Sequence, residues 1–328
     1  MYEKFYNFSG IPFLLTPDSR FFFGSSGHSR AIAHLVYGLA QEEGFIVITG
    51  EVGAGKTTLV EQLWKQLDRQ TYFIARIVTT QVSPDDLLRL VMDNFGIGDT
   101  PGLDKATLLR RFEFMVQEQR RAGRRCLLVV DEVQNLPLAA LEELRMLSNI
   151  TVDGHASLQT ILLGQPQFRP VLASRDAEQL RQRVLASYHL GPLTEAETRS
   201  YIDHRLKMVG WNDDPHWADD AYEAVYHHTG GIPRRINTLC SRILLYGSLE
   251  EAHTITGAMV ETTAGELNQD LGAGSVQTLA PPSHVNGGAA DHVEILRRIE
   301  ALETSSARQD RVFRRMLDLF GASREPPR

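Results

Sequence analysis

Gly50-Glu51-Val52-Gly53-Ala54-Gly55-Lys56-Thr57 is the stretch on which the fold turns. It follows the apolar run Phe45-Ile46-Val47-Ile48-Thr49 and leads into residues 57–67, whose apolar positions recur at helical spacing. The pattern G-x-x-x-x-G-K-[ST] between a strand and a helix is a phosphate-binding loop. Its glycines let the backbone wrap around phosphates, and successive N–H groups point inward at the helix N-terminus. Lys56 is placed to reach the β- and γ-phosphates, and Thr57 to put its hydroxyl on Mg²⁺. Nucleotide contacts are expected along the whole stretch from Gly50 to Thr58.

Working outward, strand and helix patterns alternate. Residues 73–78, 126–130 and 158–163 read as further strands, 126–130 a buried one, and 29–42, 84–95, 105–122 and 138–148 as helices. That alternation predicts right-handed βαβ units on a parallel sheet with helices on both faces. The run 126–130 ends in Asp131-Glu132. A carboxylate at the C-terminal end of a strand of such a sheet lies where ligands bind. Asp131 is expected to hold Mg²⁺ through its water, and Glu132 to act as the general base on the attacking water. The run 158–163 ends in Gly164-Gln165, and Gln165 is suited to read the γ-phosphate and orient that water. Near the end of this region, Arg181 and Arg183 are candidates for a finger reaching a neighbouring subunit's γ-phosphate, Arg183 being preferred.

From about Leu193 the strand signals stop. Residues 194–209, 219–229, 234–247 and 256–267 read as helices, and Thr194-Glu195-Ala196-Glu197 has the form of a capping box. Gly230-Gly231-Ile232-Pro233-Arg234 marks a turn opening a helix, with Pro233 at the first helical position. Arg234 then sits in a first turn, where its charge opposes the helix dipole, which points to a phosphate partner across a cleft. The expected organisation is an α/β domain over 1–192 with an aromatic lead-in over 1–28, a helical lid over 193–268, a linker over 269–290, and an amphipathic tail over 291–328. The lead-in (Phe5, Tyr6, Phe8, Phe13, Phe21, Phe22, Phe23) is punctuated by Pro12 and Pro17 and reads as an extended segment packed on a core.

The bulk properties agree. A chain of 328 residues with 42% hydrophobic residues is too long for one small domain and too apolar for a disordered protein. Two cysteines, Cys126 and Cys240, exclude a disulfide framework and read as buried reduced thiols. The net charge of −7 disfavours a surface gripping nucleic acid throughout. No segment approaches the length of apolar chain needed to cross a bilayer, and no apolar signal core opens the chain, so a cytoplasmic protein is expected. Of the five lysines, only Lys56 sits where phosphate chemistry needs a point charge.

Taken together, the phosphate loop, Asp131-Glu132, Gln165, Arg181 or Arg183, and Arg234 in a helical lid resemble the order of motifs in AAA+ ATPases. The resemblance is closer still to the general secretion pathway protein A group, and within it to the secretion ATPases encoded with exosortase and PEP-CTERM sorting systems. It is carried by Met1-Tyr2-Glu3-Lys4-Phe5-Tyr6, Pro12-Phe13, Thr16-Pro17-Asp18, Arg20-Phe21-Phe22-Phe23-Gly24, residues 44–60, Asp131-Glu132-Val133-Gln134-Asn135-Leu136, Gly164-Gln165-Pro166 and residues 230–237, and covers residues 1–268. It implies ATP and Mg²⁺ as cofactors, ATP hydrolysis as the activity, residues 16–28 bordering the adenine, Gln165 as sensor 1 and Arg234 as sensor 2. It also implies a nucleotide-dependent homo-oligomer acting on an envelope secretion, sorting or exopolysaccharide component, peripheral to the inner membrane through a partner. The competing expectation is a DNA-associated helper of transposition or replication initiation, since such proteins share the Gly-x-Pro-Arg-x-Ile-Asn lid motif. Against it, no helix-turn-helix pattern follows the lid, and the tail mixes eight arginines with seven acids.

Overall fold

A computed structural model describes residues 2–16, 18–78, 82–152, 154–156 and 158–272. The described residues divide into two units, residues 1–248 with 252–265, and residues 249–251 with 266–272. The first unit holds the sheet, the phosphate loop and most of the helical region.

The chain opens with a single helical turn, α1 (Tyr2–Phe5), a 3-10 turn (Ser19–Phe21) and helix α2 (Ser26–Ala40). Then come β1 (Phe45–Gly50), α3 (Lys56–Gln66), β2 (Tyr72–Ile77), α4 (Pro84–Asn94), α5 (Lys105–Arg121), β3 (Arg125–Val130) and α6 (Leu138–Leu147). A two-stranded hairpin, β4 (Thr151–Val152) and β5 (His155–Ala156), precedes β6 (Leu158–Gly164), α7 (Phe168–Ala173), α8 (Glu178–Arg181) and β7 (Val184–Leu190). A helical region follows: α9 (Glu195–Lys207), β8 (His216–Trp217), α10 (Asp219–Thr229), α11 (Pro233–Leu249), β9 (Thr254–Ile255) and α12 (Gly257–Gly272).

Strands β1, β2, β3, β6 and β7 form one sheet in the order β2-β3-β6-β1-β7, every neighbouring pair parallel. Both faces are covered, which is why β1 and β3 are continuous apolar runs rather than alternating ones. Phe45, Val47, Leu128, Val130 and Leu162 face a core shared with α4, α5 and α6. Ile46, Ile48, Leu127, Val129, Ile161 and Leu163 face the core under α2 and α3. Each such side chain taken fully from water contributes about 1.5–3 kcal/mol.

Strand order also gathers the chemistry-bearing residues. β6 lies between the strand that carries the loop and the strand that carries the acid pair. Thr49 pairs with Gly164, and Val130 with Leu162, so the residues after β1, β3 and β6 emerge at the same edge.

Several expectations need correction. Residues 184–190 are a fifth parallel strand at the sheet edge, unread in the sequence because Ala186, Ser187 and His189 interrupt its apolar pattern. The helical region is not free of strand: His216–Trp217 pairs with Thr254–Ile255. The lead-in contains helical turns at both ends of its aromatic stretch. In α2 the buried stripe runs through His28, Ala31, Leu35, Gly38 and Leu39, while Val36 is 51% exposed. Helix α12 continues to Gly272, past the expected end at Leu267 and into the stretch read as linker. The rest of that linker and the amphipathic tail lie outside the described residues. Cys126 and Cys240 are buried free thiols, and burial pushes that of Cys126 up to about 12.

The lead-in packs on the helical region. Tyr6 Oη donates to the Ala252 carbonyl at 3.0 Å, the Ser9 N–H to Val209 O at 2.9 Å, and Arg205 Nη1 to Pro12 O at 2.8 Å. Gly247 makes room for Tyr6, since a Cβ there would lie 2.5 Å from the phenolic oxygen. Among the described residues, no helix is long and apolar enough to cross a membrane.

Candidate nucleotide-binding site

The loop between β1 and α3 turns at two left-handed glycines, Gly53 at φ 83° and Gly55 at φ 97°. Both are also required by proximity. A Cβ on Gly53 would sit 2.3 Å from Cβ of Arg234, and one on Gly55 would sit 2.8 Å from Nε2 of His28. Lys56 is 6% exposed, and its ammonium donates to the Gly50 carbonyl at 2.7 Å and to the Glu51 carbonyl at 3.0 Å. Burial pulls its pKa down, opposed by the carboxylates of Glu132, Asp131 and Glu51.

The acid pair closes on the loop. Oδ2 of Asp131, a residue 3% exposed, accepts from Thr57 Oγ1 at 3.0 Å and from Arg76 Nη2 at 3.1 Å. Its Oδ1 accepts the Glu132 N–H at 3.0 Å. A threonine hydroxyl and a carboxylate converging on one point are hard oxygen donors, the set that suits Mg²⁺. Glu132 adopts a left-handed backbone at φ 53°, an arrangement a non-glycine residue takes at a cost. Its Oε2 accepts from Gln134 Nε2 at 2.6 Å and Gln165 Nε2 at 2.9 Å, while the Gln165 N–H donates to Gln134 Oε1 at 2.9 Å. The three residues therefore make a closed ring. Burial works against the Glu132 charge, but the two amide hydrogen bonds and the Lys56 charge outweigh it and hold the carboxyl below the usual glutamate range.

A cleft of about 300 Å³ runs from this point between the loop and the helical region. Thr16, Phe21, Phe22, Phe23 and His28 line it from the lead-in and α2, Val52 and Gly53 from the loop, and Tyr201, Arg205, Arg234 and Asn237 from the helical region. The expected border over 16–28 is thus part of the cleft wall. The Arg234 N–H donates to the Gly53 carbonyl at 3.2 Å, so the start of α11 rests on the loop itself. Arg205 lies over the rings of Phe21 and Tyr201 at 5.1 and 5.2 Å. Tyr201 Oη donates to Asn237 Oδ1 at 2.9 Å, and Asn237 Nδ2 to Leu14 O at 3.3 Å. The capping box of α9 is present, with Thr194 and Glu197 exchanging their bonds, and Glu197 also accepts the Ser26 N–H at 2.8 Å.

Of the residues expected at the site, Gly50 to Thr58, Asp131, Glu132, Gln165 and Arg234 are brought together. Arg181 and Arg183 are not. Arg181 Nη1 donates to the carbonyls of Leu172, Ala173 and Ser174, closing the end of α7. Arg183 accepts the Phe45 N–H on its carbonyl, at the end of β1 opposite the loop, and its Nη1 lies 3.5 Å from Ser148 Oγ. Three residues went unread in the sequence. Arg76 is bonded to Asp131 and, at 3.4 Å, to Glu61, from inside a strand. Gln134 completes the ring on Glu132, and Arg205 crosses from the helical region to the lead-in. The one signal for Arg76 was a lone charge within a strand.

Comparison with known proteins bears on the fold. Residues 39–172 match the family described as AAA domain. General secretion pathway protein A of Aeromonas hydrophila is 34% identical over 268 residues, covering 82% of this chain. The chain spans about half (49%) of that protein's length. Among solved structures, Cdc6p of Pyrobaculum aerophilum aligns over 76% of this chain and 71% of its own at TM-score 0.62 and 17% identity. The ORC2 protein of Aeropyrum pernix aligns over 73% and 66% at TM-score 0.56 and 17% identity. At those identities the likeness concerns the fold alone. The chain therefore carries a P-loop ATPase domain of the AAA type, followed by a helical C-terminal region.

Proposed function

We propose that the protein hydrolyses ATP to ADP and phosphate and couples the cycle to an envelope-associated secretion, sorting or exopolysaccharide component. One observation carries the catalytic reading: the 3.0 Å hydrogen bond from Thr57 to Asp131, which joins the phosphate loop to an acid strand 74 residues away. In this reading ATP lies in the cleft with its base toward residues 16–28 and its phosphates in the loop from Gly50 to Thr58. Thr57 and Asp131 would hold Mg²⁺, which would supply positive charge against the phosphates. Lys56 leaves the loop carbonyls for the β- and γ-phosphates. Glu132 accepts a proton from the attacking water as the new P–O bond forms and the bond to ADP breaks. Gln165, tied to the Glu132 carboxylate, orients that water. Arg234 adds a positive charge from the helical side, and positioning with electrostatics does the rest.

The same reading divides the chain functionally into the nucleotide domain over 1–192 and a lid over 193–268. In a homo-oligomer, Arg183 or Arg181 reaches the γ-phosphate of a neighbouring subunit, which is consistent with both lying away from this chain's own loop. The 34% identity to general secretion pathway protein A supports the envelope role, and assignment to the exosortase and PEP-CTERM subgroup rests on the motifs in the first 268 residues.

The test is Glu132→Gln. The variant should retain ATP while phosphate release falls to background; continued hydrolysis would remove Glu132 as the base. Salt-dependent binding to duplex DNA, measured on the same protein, would favour the transposition or replication reading instead.

A further inference from the structure

His28 belongs to α2 and closes the segment 16–28 expected to border the adenine, yet its ring reaches the phosphate loop. The imidazole is buried and packed edge-to-face on Phe22, with ring centroids 5.6 Å apart. Its Nδ1 lies 2.7 Å from Ser25 Oγ. That hydroxyl already accepts the His28 backbone N–H at 3.2 Å as the N-cap of α2. Ser25 is 3% exposed, and Nδ1 is an acceptor at hydrogen-bond distance from its hydroxyl. Burial also lowers the pKa of the ring, against the pull of Glu197, and so favours its neutral form. A neutral imidazole that accepts at Nδ1 carries its proton on Nε2. His28 lines the nucleotide cleft, and its Nε2 lies 2.8 Å from the point where a Cβ of Gly55 would stand.

We infer that His28 is a nucleotide-binding residue whose Nε2–H donates to a phosphate oxygen of the bound nucleotide beside Gly55, with Ser25 holding the ring in the donating tautomer. The inference rests on the proposed nucleotide cleft. It explains why the loop residue facing the ring is a glycine: any side chain there would occupy the path of the hydrogen bond. It also ties the lead-in to the nucleotide, because Ser25 and His28 open the helix that the lead-in enters.

Two amides separate the ring's two ends. In His28→Gln the amide NH₂ falls near the position of Nε2 and can still donate into the cleft. In His28→Asn the amide falls near Nδ1 and keeps only the link to Ser25. ADP and adenosine affinities are measured by calorimetry for the wild type, these two variants and His28→Ala, with unfolding temperatures recorded without nucleotide. The expected result is a loss of about tenfold in ADP affinity for His28→Ala and His28→Asn, with most of it recovered in His28→Gln, and adenosine affinity changed equally little in all. Long-range nitrogen–proton NMR correlations should show the Nε2-protonated ring. Wild-type affinity for ADP in His28→Asn, or equal losses in all three variants, would overturn the inference, as would a ring protonated at Nδ1. A wild-type protein that binds no ADP would instead sink the cleft reading itself.

Discussion

Glu132 shows how much a single residue's setting matters. Its backbone is left-handed, its carboxylate accepts two amide hydrogen bonds, and Lys56 lies near enough to favour its charge. Since its folded pKa is depressed, its contribution to stability is present above the unfolded value of about 4.3 and is lost as pH falls through the lower folded value. Gln165→Leu removes one of the two hydrogen bonds, so the acid limb of the hydrolysis profile should move to higher pH; an unmoved limb would detach Gln165 from Glu132. Gly53→Ala is expected to harm binding without deleting any group that touches the ligand. The added Cβ would be forced into a left-handed conformation and against Arg234, pushing the start of α11 off the loop. Nucleotide affinity should fall together with stability, the latter by about 1–3 kcal/mol as read by chemical denaturation.

Among elements, the order of the sheet does most to build the site. With β6 between β1 and β3, Gln165 lies between the loop and the acid pair, and the pairing of β3 with β6 lets Gln165, Glu132 and Gln134 close their ring. The entry into α9 is the second device. Its capping box satisfies orphan N–H groups at the helix start, and the same Glu197 carboxylate holds the N–H of Ser26 at the opening of α2. Thr194→Ala should cost about 1 kcal/mol, a typical N-cap loss, measurable as a shift of the denaturant midpoint with unchanged slope. An effect near zero would mean that Glu197 holds the helix start alone.

For the molecule as a whole, the cleft is assembled from segments distant in the chain: the lead-in, the phosphate loop, the acid strand, and helices α9 and α11. A ligand seated there bridges all of them, so it stabilises the folded state in proportion to its occupancy. Mg²⁺ with a nonhydrolysable ATP analogue, at about a hundred times its dissociation constant, should add roughly 2.7 kcal/mol, seen as a raised unfolding temperature. Lys56→Ala should abolish that increment, and an increment that survived it would place the ligand elsewhere.

The phosphate loop, the acid pair and the strands β1, β3 and β6 were legible in the sequence. Local chemistry dictates them: a glycine-rich turn between a strand and a helix, and carboxylates at the end of a continuous apolar run. Arg234 was legible for a similar reason, since Gly-Gly-x-Pro announces a helix start. The edge strand β7 was not, because a strand buried on only part of its surface tolerates Ala, Ser and His and loses its pattern. Arg76, Gln134 and Arg205 were not legible either, nor was the approach of His28 to Gly55. Each makes a contact between segments far apart in sequence, Gln134 through the Gln165 N–H, and spacing along the chain carries no record of which side chains meet. Sequence alone determined that this protein has a phosphate loop and an acid strand to serve it. Only the tertiary structure decided which residues surround them, because that depends on strand order and on how the helical region packs against the loop.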